Sequence, residues 1–278
     1  MIRIDAHQHF WKYDPQTLPW ISEEMEILQK NYLPPDLKTE LDQSGIDGCV
    51  AVQAAQSEEE TRFLLRLADE YHFIQGVVGW VDLRDYNVKS RLAHFARHPK
   101  MKGVRHIVQD EQDDMFLLDP DFMRGVRLLP ELDLTYDILI YERHLPVALQ
   151  FVSFLSDCRM VVDHLAKPVI SQKKMSPWQE NIRSLGQYPQ VYCKLSGMVT
   201  EAQPDRWKVD DFTAYLDVVF EAFGTEKLMF GSDWPVCKLA AEYQQVVEVL
   251  NRYMEQFTEE EKRRVYGQNA VDFYNLDV

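Results

Sequence analysis

The stretch Ile2-Arg3-Ile4-Asp5-Ala6-His7-Gln8-His9-Phe10 begins as an apolar strand pattern and ends in two histidines. Later segments are equally short, mostly rich in Val and Ile, and bounded by Gly, Pro or Asp, which favours strands over pieces of buried helix. The predicted strands cover residues 2–10, 48–55, 74–81, 103–108, 134–141, 160–164, 191–195 and 228–231.

Helical patterns separate these strands. Ser57-Glu58-Glu59-Glu60 and Thr258-Glu259-Glu260-Glu261 are capping sequences, Ser176-Pro177 places a proline at a helix start, and further helices are predicted over 211–223 and 239–254. Eight strand–helix units of roughly 30 residues match a (β/α)₈ barrel. The alternative fold, an open doubly wound sheet, would favour a glycine-rich phosphate motif after a strand, and no predicted strand is followed by one. We therefore predict an α/β fold, a TIM barrel forming a single domain over residues 1–278.

The composition is that of a globular protein without an anionic partner. Of 278 residues, 46% are hydrophobic and 27% charged, and the net charge of −15 repels phosphate backbones and anionic lipids. The start of the chain does not have the pattern of a signal peptide, and no apolar run approaches the ~20 residues of a membrane span. We expect a cytoplasmic protein with reduced cysteines and no nucleic-acid or membrane partner; a homo-oligomer is compatible with the sequence.

A long segment follows the first strand and contains several aromatic residues. Residues 11–35 hold Trp11, Tyr13, Trp20 and Tyr32 among prolines and acids. Loops that follow barrel strands line the active-site mouth. The sequence leaves two interpretations open, a lid over the site or a packed surface loop.

Titratable residues concentrate at the predicted strand ends, where a barrel places its active site. Period-two alternation puts His7 and His9 on one face of the first strand. The other strand ends carry Arg105-His106, Asp163-His164 with Lys167, Lys194, and Ser232-Asp233-Trp234. We expect the histidines and Asp233 to converge at the barrel mouth.

These residue types match a mononuclear zinc hydrolase, in which protein ligands leave one position open for water. The candidate metal ligands are His7, His9, His164 and Asp233. Without a metal, Asp233 would act alone as general base, while the histidines and Arg105 polarise a carbonyl group. Both alternatives predict hydrolysis.

The motifs together resemble the amidohydrolase superfamily (amidohydrolase-2 type), specifically its branch of sugar-acid lactonases, and more distantly the 2-pyrone-4,6-dicarboxylate lactonases. The resemblance runs nearly end to end. It rests on Asp5-Ala6-His7-Gln8-His9-Phe10-Trp11, Gly103-Val104-Arg105-His106, Asp163-His164 with Lys167-Pro168, Lys194-Leu195-Ser196-Gly197, Gly231-Ser232-Asp233-Trp234-Pro235 and Tyr266-Gly267-Gln268-Asn269-Ala270.

The resemblance implies roles for individual residues. His7, His9 and His164 would form the histidine cluster, and Asp233 would activate water. The implied substrate-binding residues, which bind or polarise the lactone, are Arg105, His106 and Lys167. The fourth strand offers Arg105 and His106 where metal-rich members carry a bridging ligand, so we expect at most one divalent ion, zinc. An enzyme that works without a metal is the alternative.

The implied activity is hydrolysis of a sugar-acid lactone such as an L-fucono-, L-rhamnono- or L-galactonolactone. Such a substrate gains negative charge only as water adds, so Arg105 and Lys167 would stabilise the transition state. Trp11 and Trp234 are candidates to flank the ring. Lys194 and Glu201 are expected to form ion pairs within the barrel, with ligand contact as the alternative. A metal-dependent decarboxylase and a non-catalytic sugar-acid-binding barrel are the competing hypotheses.

Overall fold

The computed structural model describes residues 2–278, in which eight parallel strands form one sheet with the strands in chain order. The sheet closes on itself, because Gln8 and Trp234 form a parallel bridge and the His9 amide donates to the Trp234 carbonyl at 2.7 Å. The predicted (β/α)₈ barrel is confirmed. Its strands are β1 Ile4–Gln8, β2 Gly48–Val52, β3 Ile74–Gly79, β4 Met101–Ile107, β5 Thr135–Leu139, β6 Met160–Val162, β7 Val191–Leu195 and β8 Leu228–Phe230.

Helices surround the barrel and begin close to their predicted caps. The Ser57 hydroxyl accepts from the Glu60 amide at 3.1 Å, and the Thr258 hydroxyl accepts from the Glu261 amide at 3.3 Å. The helix predicted from residue 239 begins later, at Tyr243, because Val236–Leu239 forms a 3₁₀ turn. The helices are α1 Pro34–Ser44, α2 Glu58–Glu70, α3 Val88–Phe95, α4 Pro120–Val126, α5 Leu145–Ser153, α6 Trp178–Gly186, α7 Met198–Glu201, α8 Asp210–Phe223, α9 Tyr243–Met254, α10 Glu259–Arg263 and α11 Asn269–Tyr274.

The last helix closes the amino-terminal end of the barrel. Phe273 and Tyr274 of α11 pack against inward-facing residues of the strands, such as Ile4 and Val161. The carbonyl of Phe273 accepts from the Arg159 guanidinium, just before β6 begins. Since this end is filled by side chains, the opening of the barrel lies at the carboxyl ends of the strands.

The segment between β1 and α1 is packed onto that opening. The Trp11 and Tyr32 backbones exchange hydrogen bonds of 2.9 and 3.0 Å, and the Trp11 indole donates to the Lys30 carbonyl. Trp20 lies edge-on to Trp11, and its indole donates to the Ala54 carbonyl after β2. These contacts fix the segment at its ends and in its middle.

Two further findings concern the predicted environment of the chain. The cysteines are free thiols buried within the fold: Cys49, Cys158, Cys193 and Cys237. Among residues 2–278, no helix combines the length and apolarity needed to cross a membrane.

Candidate active site

An irregularity in β1 directs two histidines into the barrel. The pairing of β1 with β2 shifts register between Asp5 and Gln8, so three residues of β1 span two of β2. Ala6 packs in the barrel interior and His7 also faces it, whereas the Asp5 carboxylate bonds outward to the Tyr243 hydroxyl at 3.0 Å. Beyond the bulge His9 again faces the opening. His7 and His9 therefore share a face as predicted, although Asp5 does not.

Four side chains meet at the opening. Asp233 Oδ1 lies 3.3 Å from His9 Nε2, 3.8 Å from His7 Nε2 and 3.9 Å from His164 Nε2. His9 Nδ1 lies 2.8 Å from the Val52 carbonyl. Because a carbonyl only accepts hydrogen bonds, His9 carries a proton on Nδ1 and, when neutral, turns a bare Nε2 toward Asp233.

Asp233 is positioned by the buried Asp5 carboxylate. Asp5 accepts hydrogen bonds from the Ser232 amide at 2.9 Å and from the Ser232 hydroxyl at 2.6 Å. The Asp233 amide donates to the His7 carbonyl at 2.8 Å, and Asp233 itself has a φ of 58°. Burial raises the pKa of Asp5 to about 6, although its bonds to Ser232 oppose the rise. The network joins β8 to β1 directly beneath the converging side chains.

A left-handed turn after β6 carries His164 and Lys167 to the opening. The φ values of His164, Leu165, Ala166 and Lys167 are 54°, 55°, 57° and 49°, a conformation that costs residues with a Cβ about 1–2 kcal/mol each. The Trp178 indole of α6 donates to the Leu165 carbonyl at 2.7 Å and braces the turn.

Gly197 gives the same turn the space it needs. A Cβ on Gly197 would lie 2.6 Å from His164 Nδ1, and Gly197 has a φ of 65°. Both the close approach and the left-handed backbone require glycine here. The same nitrogen, His164 Nδ1, lies 2.9 Å from the Ser196 hydroxyl, so the loop after β7 fixes the orientation of this ring.

A buried ionic cluster lies below His7. Lys194 Nζ is 2.5 Å from Asp137 Oδ2, 3.1 Å from Asp163 Oδ1 and 3.1 Å from His7 Nδ1. Arg105 Nη1 is 3.0 Å from Asp163 Oδ2 and 3.2 Å from His7 Nε2. Two cations thus balance two carboxylates. The predicted ion pairing of Lys194 is confirmed, but its partners are these aspartates and not Glu201.

Burial and charge set the protonation of the opening. Burial lowers the pKa of His164 well below its ordinary value, although Asp233 opposes this, and burial likewise lowers the pKa of His7 well below the ordinary value. Burial raises the pKa of Asp233, but His164, His9 and Lys167 outweigh it and leave that pKa below 3.8. At pH 7 Asp233 is therefore a carboxylate, and the rings of His7 and His164 are neutral.

His9, His164, Lys167 and Asp233 line a cavity of about 330 Å³, whereas His7 is fully buried and does not line it. The cavity has an apolar and a polar side, which face each other because β8 and β1 lie across the barrel from β4 and β5. The segments after β1 and β8 supply apolar residues: Trp20, Met25, Val236 and Leu239. The loops after β4 to β7 supply most of the polar ones: Gln109, Asp110, Tyr141, Lys167, Thr200 and Glu201.

Three predicted substrate contacts do not line this cavity. His106 follows Arg105 in the regular part of β4, so its ring turns away from the barrel interior, where it stacks on Phe116 and binds Glu111 at 2.6 Å. Trp11 and Trp234 are both 2% exposed and pack in an aromatic cluster around Tyr32. The structure does place Arg105 and Lys167 at the cavity.

Sequence reasoning missed other cavity residues. Trp20 supplies the aromatic surface that had been expected from Trp11 and Trp234, and Tyr141 places its ring centroid 5.2 Å from Lys167 Nζ. Tyr141 ends the predicted fifth strand, and that position was the available signal. Glu201 was named from the sequence, with ion pairing as the expectation and ligand contact as the alternative; it faces the cavity and has no ion pair among the described residues.

The donor set fits one zinc ion. Ligand atoms of His7, His164 and Asp233 lie within 4.8 Å of one another, and the Nε2 atom of neutral His9 adds a further acceptor. Acceptors that converge in this way require a cation or proton donors between them. Arg105 already contacts His7 Nε2. A metal ion and this guanidinium would therefore compete for the same lone pair.

A parallel barrel with histidines and an aspartate converging at its strand ends defines an amidohydrolase. The profile of the Amidohydrolase family matches residues 4–276, and this chain belongs to that family. It is 40% identical over 286 residues to an L-fucono-1,5-lactonase of Burkholderia multivorans, covering 99% of this chain and 96% of that one.

Solved structures agree with this assignment. A crystal structure of a Burkholderia multivorans amidohydrolase with bound zinc superposes with a TM-score of 0.96, at 39% identity and with complete coverage of both chains. A Pseudomonas putida structure described as a putative 2-pyrone-4,6-dicarboxylic acid hydrolase has a TM-score of 0.80 at 19% identity, covering 100% of this chain and 98% of that chain. This second likeness shows the fold alone.

Proposed function

We propose that this protein is a hydrolase that opens the lactone ring of a sugar acid, with Asp233 as the general base. The observation that carries the proposal is the convergence of Asp233 with three histidine rings, two of which line a cavity of about 330 Å³. The likeness to L-fucono-1,5-lactonases over nearly the whole chain supports the substrate class. L-Fucono-1,5-lactone is therefore the leading substrate.

The reaction follows from the chemistry of the site. Water adds to the lactone carbonyl carbon as the Asp233 carboxylate takes its proton, and the carbonyl π electrons move to oxygen. Arg105 lines the cavity, so its guanidinium charge stabilises the developing oxyanion. As the intermediate collapses, the ring C–O bond breaks and the alkoxide takes the proton back from Asp233. The bonds between Asp5 and Ser232, which join β8 to β1, hold Asp233 in place.

A divalent ion would be held by His7, His9, His164 and Asp233. When bound, zinc lowers the pKa of a coordinated water toward ~7. Elemental analysis before and after chelation, with activity measured on the same samples, distinguishes the two forms of the enzyme. Full activity in metal-free protein assigns the chemistry to the side chains alone. Activity that is lost with the metal and returns with zinc assigns part of it to the ion.

The cavity suits a neutral deoxysugar lactone. The apolar side formed by Trp20, Met25, Val236 and Leu239 can accept the methyl group of a 6-deoxy sugar. The polar side can bind ring hydroxyls. Lys167 adds a positive charge near the developing oxyanion and completes the set of proposed substrate-binding residues.

The test is hydrolysis of a lactone panel monitored with a pH indicator. We expect turnover of L-fucono-1,5-lactone, and a loss of at least ~10² in kcat for Asp233→Asn, the range general-base catalysis supplies. Asp157→Asn, which changes an exposed carboxylate before β6 and outside the cavity, is the matched control. No turnover of L-fucono-, L-rhamnono- and L-galactonolactones by the wild type would refute the proposal, and carbon dioxide release from an aromatic acid would favour the decarboxylase.

We also propose a cellular location and the absence of a nucleic-acid partner. We expect residues 1–278 to form one catalytic domain that works in the cytoplasm without nucleic acid, because the net charge of −15 repels phosphate. Cell fractionation and a DNA retention assay at low salt test these two expectations. Sedimentation measures the oligomeric state, for which a homo-oligomer is compatible with the sequence.

A further inference from the structure

Glu201 and Lys167 face the cavity without protein partners for their charges. Glu201 is the last residue of α7 and is half-buried, and its carboxylate has no hydrogen bond or ion pair to any residue within 2–278. The Lys167 ammonium also lacks such a bond within the described chain and lies 5.2 Å from the Tyr141 ring centroid. One cavity therefore presents an unpaired acceptor and an unpaired donor.

Other partly buried acids of this chain are paired. Glu142 lies 2.7 Å from Lys174, and Glu58 lies 2.9 Å from Arg62, with side chains only 13% and 16% exposed. Withdrawing a carboxylate from water is costly unless hydrogen-bond donors replace the water. Glu201 has no such protein donor, so a molecule in the cavity would supply it.

The charges near Glu201 restrict what that molecule can be. Burial raises the pKa of Glu201 and Asp233 raises it further, while Lys167 opposes the rise. An additional carboxylate on the ligand would be repelled by Glu201 and Asp233. A hydroxyl group suits both unpaired residues, because it donates to a carboxylate and accepts from an ammonium.

We propose that Glu201 is a specificity-determining residue that binds ring hydroxyls of the lactone, with Lys167 donating to the same or an adjacent hydroxyl. This inference rests on the proposed lactonase function. Glu201 and Lys167 follow the neighbouring strands β7 and β6, so they can contact one edge of the ring. The enzyme would thereby prefer polyhydroxylated lactones to bare or carboxylated ones.

The test compares two lactones that share a six-membered ring, L-fucono-1,5-lactone with hydroxyls and δ-valerolactone without them. The measured quantity is the ratio of their kcat/KM values. We expect Glu201→Gln to lower this ratio about 10- to 100-fold, the value of one hydrogen bond to a charged group. Glu24→Gln changes an exposed glutamate of the β1–α1 segment outside the cavity, and it should leave the ratio within twofold of the wild type.

Other outcomes separate the two proposals. An unchanged ratio in Glu201→Gln, with wild-type turnover of L-fucono-1,5-lactone, overturns the hydroxyl-binding role alone. A wild type that hydrolyses no sugar lactone overturns the lactonase function itself. If δ-valerolactone is too poor a substrate to measure, a crystal structure of Asp233→Asn with L-fucono-1,5-lactone decides. A ring hydroxyl about 2.7 Å from a Glu201 carboxylate oxygen supports the proposal, and no hydroxyl within about 3.5 Å overturns it.

Discussion

Replacing Lys194 by methionine tests the buried ionic cluster. Lys194 is fully buried and lies within 3.1 Å of Asp137, Asp163 and His7. Methionine fills a similar volume but carries no charge. In Lys194→Met, Arg105 still binds Asp163 and the Tyr274 hydroxyl still donates to Asp137, yet two carboxylates share one cation. One buried negative charge is left uncompensated.

The expected loss of stability is large. Removing one partner of a buried ion pair costs about 3–5 kcal/mol. For a chain of this length each kcal/mol lowers Tm by about 2–4 °C, so we expect Tm to fall by roughly 10 °C at pH 8. The near-isosteric shape of methionine limits any contribution from a cavity.

The loss should also depend on pH. Burial raises the pKa of Asp137 to about 6, even though Lys194 opposes the rise. Without this lysine, a buried carboxyl can reach a pKa of about 8. A folded-state pKa above the unfolded value means that stability falls as pH rises, until the folded pKa is passed. In the wild type this fall ends near pH 6, and in the variant it continues to about pH 8. At 1.36 kcal/mol per pH unit, the two further pH units lower the variant's free energy of unfolding by about 2.7 kcal/mol more.

Differential scanning calorimetry at pH 6 and pH 8 measures this difference, at pH values above the calculated pI of 5.0. Lys38→Met, which removes an exposed ion pair with Asp42 on α1, is the control and should leave Tm within 1 °C of the wild type. An equal Tm deficit for Lys194→Met at both pH values would refute the charge argument. A deficit below about 2 °C at pH 8 would refute the assigned burial cost.

Three further predictions concern the positioning of the site. Trp178→Phe removes the donor to the Leu165 carbonyl, so Tm measured by calorimetry should fall by about 2–6 °C and kcat should fall with it. Unchanged values of both would contradict the bracing role of Trp178. Ala166→Gly relieves a left-handed residue and should raise Tm by about 1–2 °C, whereas Ala148→Gly inside α5 should lower it. The proposed general base Asp233 acts in its deprotonated form, and its pKa lies below the ordinary value of an aspartate. A pH-rate profile of kcat/KM should therefore have no acid limb attributable to this residue between pH 5 and 8.

The fold could be predicted because barrel strands are buried on both faces. Apolar runs such as those at β2 and β5 stand out between charged helices, and chain order alone then places every strand end on one rim. The same logic assigned His7, His9, His164 and Asp233 to one place. Their convergence depends on topology, which the strand–helix alternation determines.

The wrong placement of His106 occurred where alternation was not applied, and the irregularity of β1 could not be predicted. In β4 the regular alternation was available, and it puts Arg105 and His106 on opposite faces. In β1 strict alternation would place Asp5 beside His7, but the bulge sends Asp5 outward to Tyr243. A bulge arises from pairing with other strands, so the local sequence of β1 did not indicate it.

The left-handed turn after β6 has no sequence signal, because neither glycine nor asparagine occurs between Asp163 and Pro168. It is instead held by distant residues: Trp178 from α6 and the space at Gly197 after β7. The strain is therefore balanced by tertiary contacts. The choice between Trp11, Trp20 and Trp234 as the cavity aromatic also depends on how the segment between β1 and α1 packs.

The charge balance of the site favours product release in the proposed reaction. Below the cavity, Lys194 and Arg105 offset Asp137 and Asp163, so this layer contributes no net charge. Arg105 reaches the cavity but is already paired with Asp163, so the charge of Lys167 stands against the carboxylates of Asp233, Glu201 and Asp110. A neutral lactone enters without repulsion, but ring opening creates a carboxylate among like charges. The same carboxylates that activate water and bind hydroxyls then weaken binding of the product, and the net charge of −15 favours its departure.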